Sequence, residues 1–458
     1  MKAVEKLLEE VKKGKRPTAA ENSAVARIAA EFVTKLDKAL KSARTKAKSV
    51  VGGSGAKGTW LKGMHDIDVF ACFDYKKYKE KSGELSEFVA AAMKKTFGKH
   101  ERLHGSRDYF RVHFSGYNFE IVPILRITKA SQAKNITDAS LLHSAWVRRK
   151  TGKKAALADD VRLTKAFCKA QRVYGAESHI RGFSGYACEI LTAYYGSFLK
   201  LITTAASQWK KSVSQGKKIV VDAEKHYKGR DPLRELNEAK VQSELIVIDP
   251  VQKDRNATAA LSNETLQRFI EAAGEFLKKP GSEFFERQEI TIEDIKLKAK
   301  GKTASAVADA HRRRIAYELV VVEAAPNKGK EDVVGAKLLK AHEHLLKQLL
   351  ENGFAVKESG WEWDKSKKRE AMFWYITEKS EPEAEVRHGP PLANKAHADN
   401  FRKEHAGKSG RKLFEKGGRL YARIERKHKQ PQQLISALII GDAYLKDKAQ
   451  HYSARSFN

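Results

Sequence analysis

Residues 52–70 read GGSGAKGTWLKGMHDIDVF. Gly52, Gly53, Gly55 and Gly58 crowd around Ser54 and Lys57, and Asp66 and Asp68 then flank Ile67 at the start of an apolar run. On a strand, side chains two residues apart leave the same face, so the two carboxylates project together. Held that close they repel, and a hard divalent cation such as Mg²⁺ relieves the repulsion. The glycines let the backbone approach a triphosphate, whose oxygens the amides and the Ser54 hydroxyl bind while Lys57 adds charge. One half of the stretch is thus suited to phosphates and the other to the metals that activate them.

Helical periodicity fills residues 19–44 and again 85–97, on either side of a strand over 67–73. YFRVHF (109–114) and YNFEIVPIL (117–125) read as an antiparallel hairpin turning at Ser115-Gly116. Within the second run Glu120 stands between Phe119 and Ile121, where an acid is out of character unless it faces a functional cleft. The first unit is therefore α/β, on a small sheet. Residues 140–273 are helical in pattern, broken at 210–237 by a basic polar segment expected to be a solvated connection. Farther on, IAYELVVVEA and AMFWYITE read as strands with the helix GAKLLKAHEHLLKQLLENG between them, and a last helix and hairpin are expected near NFRKEHAG and GGRLYARIERK.

Among 458 residues, 88 Lys and Arg oppose 57 Asp and Glu, a formal charge of +31 that points to a polyanionic partner. No apolar run approaches the length of a spanning helix, so a membrane is not expected, and the N-terminal segment reads as an amphipathic helix rather than a signal peptide. Cys72, Cys168 and Cys188 are too dispersed for a disulfide framework or a zinc site, which suits a cytoplasmic protein. The basic runs KKSVSQGKK, HRRR, KSKKRE and RIERKHK all lie beyond residue 208. Together with Trp361, Trp363, Trp374 and Tyr421 they suggest contacts to an RNA backbone.

The ordered set GGS…TWLKG…DIDVF, NFEIVP, VRLTKAFCKAQRVYGAE, RGFSGYACEIL and VIDPVQKDRNATAALS resembles the archaeal-type class I CCA-adding enzymes, the tRNA nucleotidyltransferases. The likeness runs from about residue 50 to 265, with an echo in HGPPL and GGRLYARIER. It implies an α/β plus α+β multidomain fold. A polymerase-β-like nucleotidyltransferase head would span 1–139, a helical nucleotide-binding neck 140–275, and a tRNA-binding body and tail with small antiparallel sheets 276–458. It further implies Mg²⁺ on Asp66, Asp68 and Glu120, with CTP and ATP as substrates. Gly53, Ser54, Lys57, Lys165 and Tyr174 would lie on the triphosphate, Ser140 and His143 near the nucleotide, and Arg255 on the incoming base. The partner would be tRNA, gripped by its acceptor and T arms, and a homodimer is left open. Glu120 stands where the family pattern has aspartate, Lys57 where it has arginine, and SRDYF replaces a His-Pro-Tyr stretch. A poly(A) polymerase or oligoadenylate synthetase shares the Gly-Ser and Asp-x-Asp arrangement, and a non-catalytic RNA-binding protein is the rival of another class.

Overall fold

Five strands, β1 (Ala47–Val51), β2 (Asp66–Phe73), β3 (Glu101–Leu103), β4 (Tyr109–Phe114) and β5 (Tyr117–Leu125), form the first sheet in the order β1-β2-β5-β4-β3. The computed structural model describes residues 2–94, 96–98, 100–152, 155–300, 316–364, 370–379 and 384–457. These fall into two units that divide in sequence between Gln288 and Glu289.

Alternation along β2 and β5 sorts the sheet into two faces. Ile67, Val69, Ala71 and Phe73 join Phe119, Ile121 and Leu125 in a core with Phe32 and Leu36 of helix Ala19–Ser42 and with Leu85, Val89 and Met93 of helix Leu85–Met93. The other face carries Asp66, Asp68 and Glu120 at one end and the small cluster of Phe70, Cys72 and Ile124 at the other. Strands β2 and β5 run parallel with Asp68 opposite Glu120 and Asp66 opposite Asn118. A one-residue slip would turn Ile67, Val69 and Phe73 to the wrong face at about 2 kcal/mol each, so the apolar core fixes the register that aligns the acids. The hairpin of β4 and β5 turns at Ser115 and Gly116, both at positive φ (50° and 83°), as a two-residue turn matched to strand twist requires.

Helix Lys2–Lys15, assigned from sequence to the 1–139 segment, buries Leu8 and Val11 with the helical part of the unit instead. That core is aromatic: Phe167, Phe183, Phe198, Phe269, Phe276 and Phe285 meet there from helices Ala155–Ala170, Phe198–Thr204 and Asn263–Lys278 and from the segments between and after them. Cys168 of helix Ala155–Ala170 and Cys188 of helix Gly185–Tyr195 face each other with sulfurs 3.9 Å apart. Segment 210–237 is not merely a solvated connection. It contains β6 (Ile219–Asp222), which pairs in parallel with β7 (Leu245–Ile248), and it buries Val221, Tyr227 and Leu236.

In the second unit, β8 (Tyr317–Pro326), β9 (Val356–Glu362) and β10 (Ala371–Glu378) share an antiparallel sheet. Helix Glu331–Glu351 covers one face through Leu338, Ala341 and Leu345, and helix Ile292–Ala299 covers the other through Ile295. Strands β11 (Glu385–Pro391), β12 (Arg411–Lys416) and β13 (Arg419–Ile424) form a second sheet beside helix Lys395–His405. The expected hairpin is the pair β12 and β13, but it is not the last element: helices Pro431–Gly441 and Ala443–Lys448 follow, and β14 (Ala449–Phe457) returns to pair with β8. Trp374 lies on β10 in the core at 6% exposure, so it is no RNA-facing residue. The runs HRRR and, apart from Glu370, KSKKRE lie outside the described residues.

Candidate active site

The glycine-rich turn becomes a short helix, Gly53–Lys57, that follows β1 and sits against the start of β2. Gly52 N donates to the Asp68 carbonyl at 2.8 Å, which pins the turn to the strand. Gly53 has φ +54°, and a Cβ there would lie 1.6 Å from Asp68 Oδ2. Backbone and carboxylate are therefore in contact at a position only glycine can fill. Gly53→Ala is expected to displace the Asp68 carboxylate, lower stability by at least about 1 kcal/mol, and slow the reaction at this site by at least about tenfold. Single-turnover rates beside a melting curve check it, and a parent-like rate would mean the close approach has no chemical role.

The charged form of Asp68 is disfavoured where it stands. Burial first, then the charge of Glu120, push its carboxyl up to about 6; Lys57 pulls the other way, Asp66 adds to the rise, and Lys165 opposes it. Asp66 accepts from Asn118 Nδ2 at 3.1 Å. Glu120 accepts from Arg111 Nη2 at 2.6 Å and Nε at 3.2 Å, a guanidinium presented by the register partner of Glu120 on β4. Glu120 is thus committed to Arg111, and among the described residues no three His, Cys, Asp or Glu side chains are gathered as a metal cage. The chemistry of the donor set nonetheless suits Mg²⁺: oxygen ligands only, on one face of adjacent strands, with one acid destabilised by its neighbours.

Two buried acids organise the remaining candidates, and neither was singled out from sequence. Glu189, on helix Gly185–Tyr195, accepts from Lys165 Nζ at 2.8 Å, Lys57 Nζ at 2.9 Å and Thr59 Oγ1 at 2.7 Å. Burial alone would raise its carboxyl, but Lys165 and Lys57 hold it down at about 2. Lys165 also donates to Thr59 Oγ1 at 3.0 Å, and Arg162 donates to the Gly58 carbonyl at 2.6 Å and that of Trp60 at 2.9 Å. The loop that follows the glycine turn is consequently clamped by the helix carrying Arg162 and Lys165.

The second acid is Asp249, at the end of β7 and fully buried. Arg255 Nη1 donates to its Oδ2 at 2.6 Å and Tyr186 Oη to its Oδ1 at 3.2 Å. Arg255 thus pairs with Asp249, not with its sequence neighbour Asp254. His143 Nε2 lies 3.0 Å from Asp249 Oδ2, off the line a hydrogen bond needs, and its ring stacks on Tyr186 at 4.3 Å. Burial keeps this imidazole below its ordinary value, so near neutral pH Arg255 is the charge that Asp249 answers. Lys57 Nζ, 5.4 Å from the Tyr186 ring centroid, joins the two clusters.

Two candidates make no hydrogen bond to Glu189 or Asp249, although Tyr174 lies beside Lys165. Ser140 opens helix Ser140–Gly152, and its carbonyl accepts from Ser144 Oγ. Tyr174 places its hydroxyl so close to Gly185 that a Cβ there would be 2.8 Å away. Arg107, in the departing SRDYF stretch, is structural: it donates to Asp138 Oδ1 at 2.6 Å and to the Pro123 carbonyl at 2.9 Å in the interior. An acid inside an apolar helix (ACEIL) or ending an apolar strand (LIVID) is the same signal that drew attention to Glu120, and it marks Glu189 and Asp249 equally well.

The profile of the nucleotidyltransferase domain matches residues 33–143, that of the tRNA nucleotidyltransferase second domain 159–286, and that of the CCA-adding enzyme C-terminal domain 316–447. The CCA-adding enzyme of Nanoarchaeum equitans is 32% identical over 378 residues, covering 82% of this chain and 83% of the relative. That of Methanopyrus kandleri is 30% identical over 452 residues, 95% of this chain and 87% of the relative. That of Methanosarcina barkeri is 32% identical over 360 residues, 78% and 72%. A chain whose first sheet bears paired carboxylates beside a glycine turn, and whose length is matched in order by all three profiles, belongs to the CCA-adding enzyme family of tRNA nucleotidyltransferases.

Proposed function

We propose that this chain adds C, C and A in turn to the 3′ end of tRNA from CTP and ATP, without a template strand, at the carboxylates of β2 and β5. The observation that carries the reading is the contact between the Gly53 backbone and Asp68, with Glu120 across the strand and Lys57 on the far side of the turn. Asp66 and Asp68 would hold Mg²⁺, joined by Glu120 when it turns from Arg111. When bound, the ion acidifies the attacking 3′-hydroxyl, neutralises the triphosphate and stabilises the departing pyrophosphate. The amides of residues 53–55 and the Ser54 hydroxyl orient the triphosphate, and Lys57 counters its charge. Glu189, with Lys165 buried against it, fixes Lys57 and the loop above it. Arg255, held by Asp249, presents its remaining donors toward the base, with His143 and Ser140 near the nucleotide, while Tyr174, whose hydroxyl lies beside Gly185, would join the triphosphate. The cytoplasm is the compartment this reading implies, and no helix among the described residues is long and apolar enough to cross a membrane.

Incubation with tRNA lacking its terminal CCA, Mg²⁺ and each nucleotide separately tests the proposal. Two additions with CTP alone, and a third when ATP is supplied, are expected. Long A tails would make the chain a poly(A) polymerase, and binding without incorporation would make it an RNA-binding protein.

Glu120 offers a sharper check. Its length lets it meet Arg111 now and a metal beside Asp68 in the working state, whereas an aspartate would be shorter by about 1.5 Å. Glu120→Asp is therefore expected to slow single-turnover CTP addition by tenfold or more. A variant as fast as the parent would show that the site is not built to this side chain's length.

A further inference from the structure

The end of the first sheet remote from the carboxylates carries a cavity of about 470 Å³ lined by Asp37, Lys41, Arg44, Thr45, Lys46, Ala47 and Lys48. Register places it: Ala47 pairs with Phe73 and Lys48 with Cys72, at the opposite end of β2 from Asp66. At about 3.3 Å per residue the two ends are ~23 Å apart, the length of about seven stacked base pairs.

Four cations face one acid in this cavity. Asp37 is engaged, accepting from Ser49 N at 2.6 Å, and Lys46 lies 3.3 Å from Asp74. Lys41, Arg44 and Lys48 are exposed and have no acidic partner among the described residues. Arg44 sits at φ +55° in the tight turn between helix Ala19–Ser42 and β1, which brings cations from both elements around one opening. Such a cluster has no evident folding role: Asp37 and Asp74 offset only part of its charge among the described residues, and like charges gathered at one rim repel. The basic runs read from sequence all lay beyond residue 208, so this surface belongs to none of them.

We infer that this cavity is a docking site for the phosphodiester backbone of the RNA substrate, several nucleotides away from the reacting 3′ end. The inference rests on the reading of the chain as an enzyme acting on tRNA, and it adds a contact on the catalytic sheet itself. Long flexible side chains around an open, polar rim suit sequence-independent phosphate contacts rather than recognition of a base. The separation means that only an RNA with a sufficiently long stem reaches the site.

The test is the variant Lys41→Gln/Arg44→Gln/Lys48→Gln, assayed with full-length tRNA lacking CCA and with an RNA hairpin of about four base pairs ending in the same acceptor sequence. With tRNA, KM is expected to rise at least tenfold. The slope of log affinity against log salt should flatten by about two to three, since each of the three phosphate contacts contributes roughly 0.9 in duplex DNA and roughly 0.7 on a single strand. With the hairpin, KM and kcat should equal the parent's, as should KM for CTP on either RNA, which also reports an intact fold. Unchanged tRNA affinity and salt slope would overturn the inference. So would a parallel loss of CTP affinity, which would mark the cavity as a site for free nucleotide, or an equal loss with the hairpin. Failure of the underlying reading is separate: the parent itself would then not extend tRNA.

Discussion

Asp68→Ala is expected to abolish incorporation of CTP and ATP alike, by at least about a thousandfold, while tRNA binding stays within a few fold of the parent. On the proposed reading Asp68 holds the metal, and removing such a carboxylate forfeits the charge stabilisation that carries most of a nucleotidyl transfer, several kcal/mol of barrier amounting to that factor or more. Asp68 is also the side chain that the Gly53 backbone touches and the one whose charge Glu120 and Asp66 oppose, so its loss relieves strain. The alanine protein should accordingly be no less stable than the parent, with its advantage fullest above about pH 6, where the parent's carboxyl is charged, and fading as pH falls from about 6 toward 3.8, where that carboxyl takes up its proton. Equal loss of CTP and ATP addition matters, because a defect confined to one nucleotide would place Asp68 in base selection. Quench-flow with each nucleotide, next to a tRNA binding isotherm, decides the case. Full activity in the folded variant would refute the site.

Much of the catalytic sheet was readable in advance because alternation is a local signal. Ile67, Val69 and Phe73 on one side of β2, and Asp66 and Asp68 on the other, spell out a strand buried on one face, and the register with β5 follows from the same apolar residues. Where pairing is not local, that legibility ends. Strands β6 and β7 are four residues each and pair across a long polar segment, so nothing near Ile219 announces its partner. Trp374 misled for a related reason. Both faces of the β8 sheet are covered, so β10 shows no alternation, and an aromatic residue beside a basic run can be read as surface or core. The acids Glu189 and Asp249 were within reach of the reasoning applied to Glu120. Their partners were not, since Lys57 and Lys165 are 108 residues apart in sequence and meet only through the fold.

The Glu189 cluster carries the second large effect. Glu189 is 1% exposed and is the anionic partner of both Lys165 and Lys57. Glu189→Gln keeps the shape but removes the charge, leaving two ammonium groups in or near the interior uncompensated, a change that costs about 3–5 kcal/mol. The transition of the first unit should fall by roughly 10 °C. Because the parent carboxyl is held at about 2 against an ordinary 4.5, its stabilising contribution is complete above about pH 4.5 and is lost as pH falls toward 2. Glu189→Gln should lack that part of the acid dependence. Removing the partner as well changes the sign of the argument: in Glu189→Gln/Lys165→Met only Lys57 remains, at the rim, so most of the lost stability should return. Activity should not return with it. Without Glu189 the Lys57 ammonium is no longer fixed beside the turn and the Gly58–Trp60 loop loses a clamp, so KM for CTP should stay at least tenfold above the parent's while tRNA affinity is unchanged. Were Glu189→Gln to melt with the parent, the ion cluster would contribute no stability. Were the double variant to regain stability and CTP affinity together, Glu189 would be a structural neighbour of the site and no positioning residue for it.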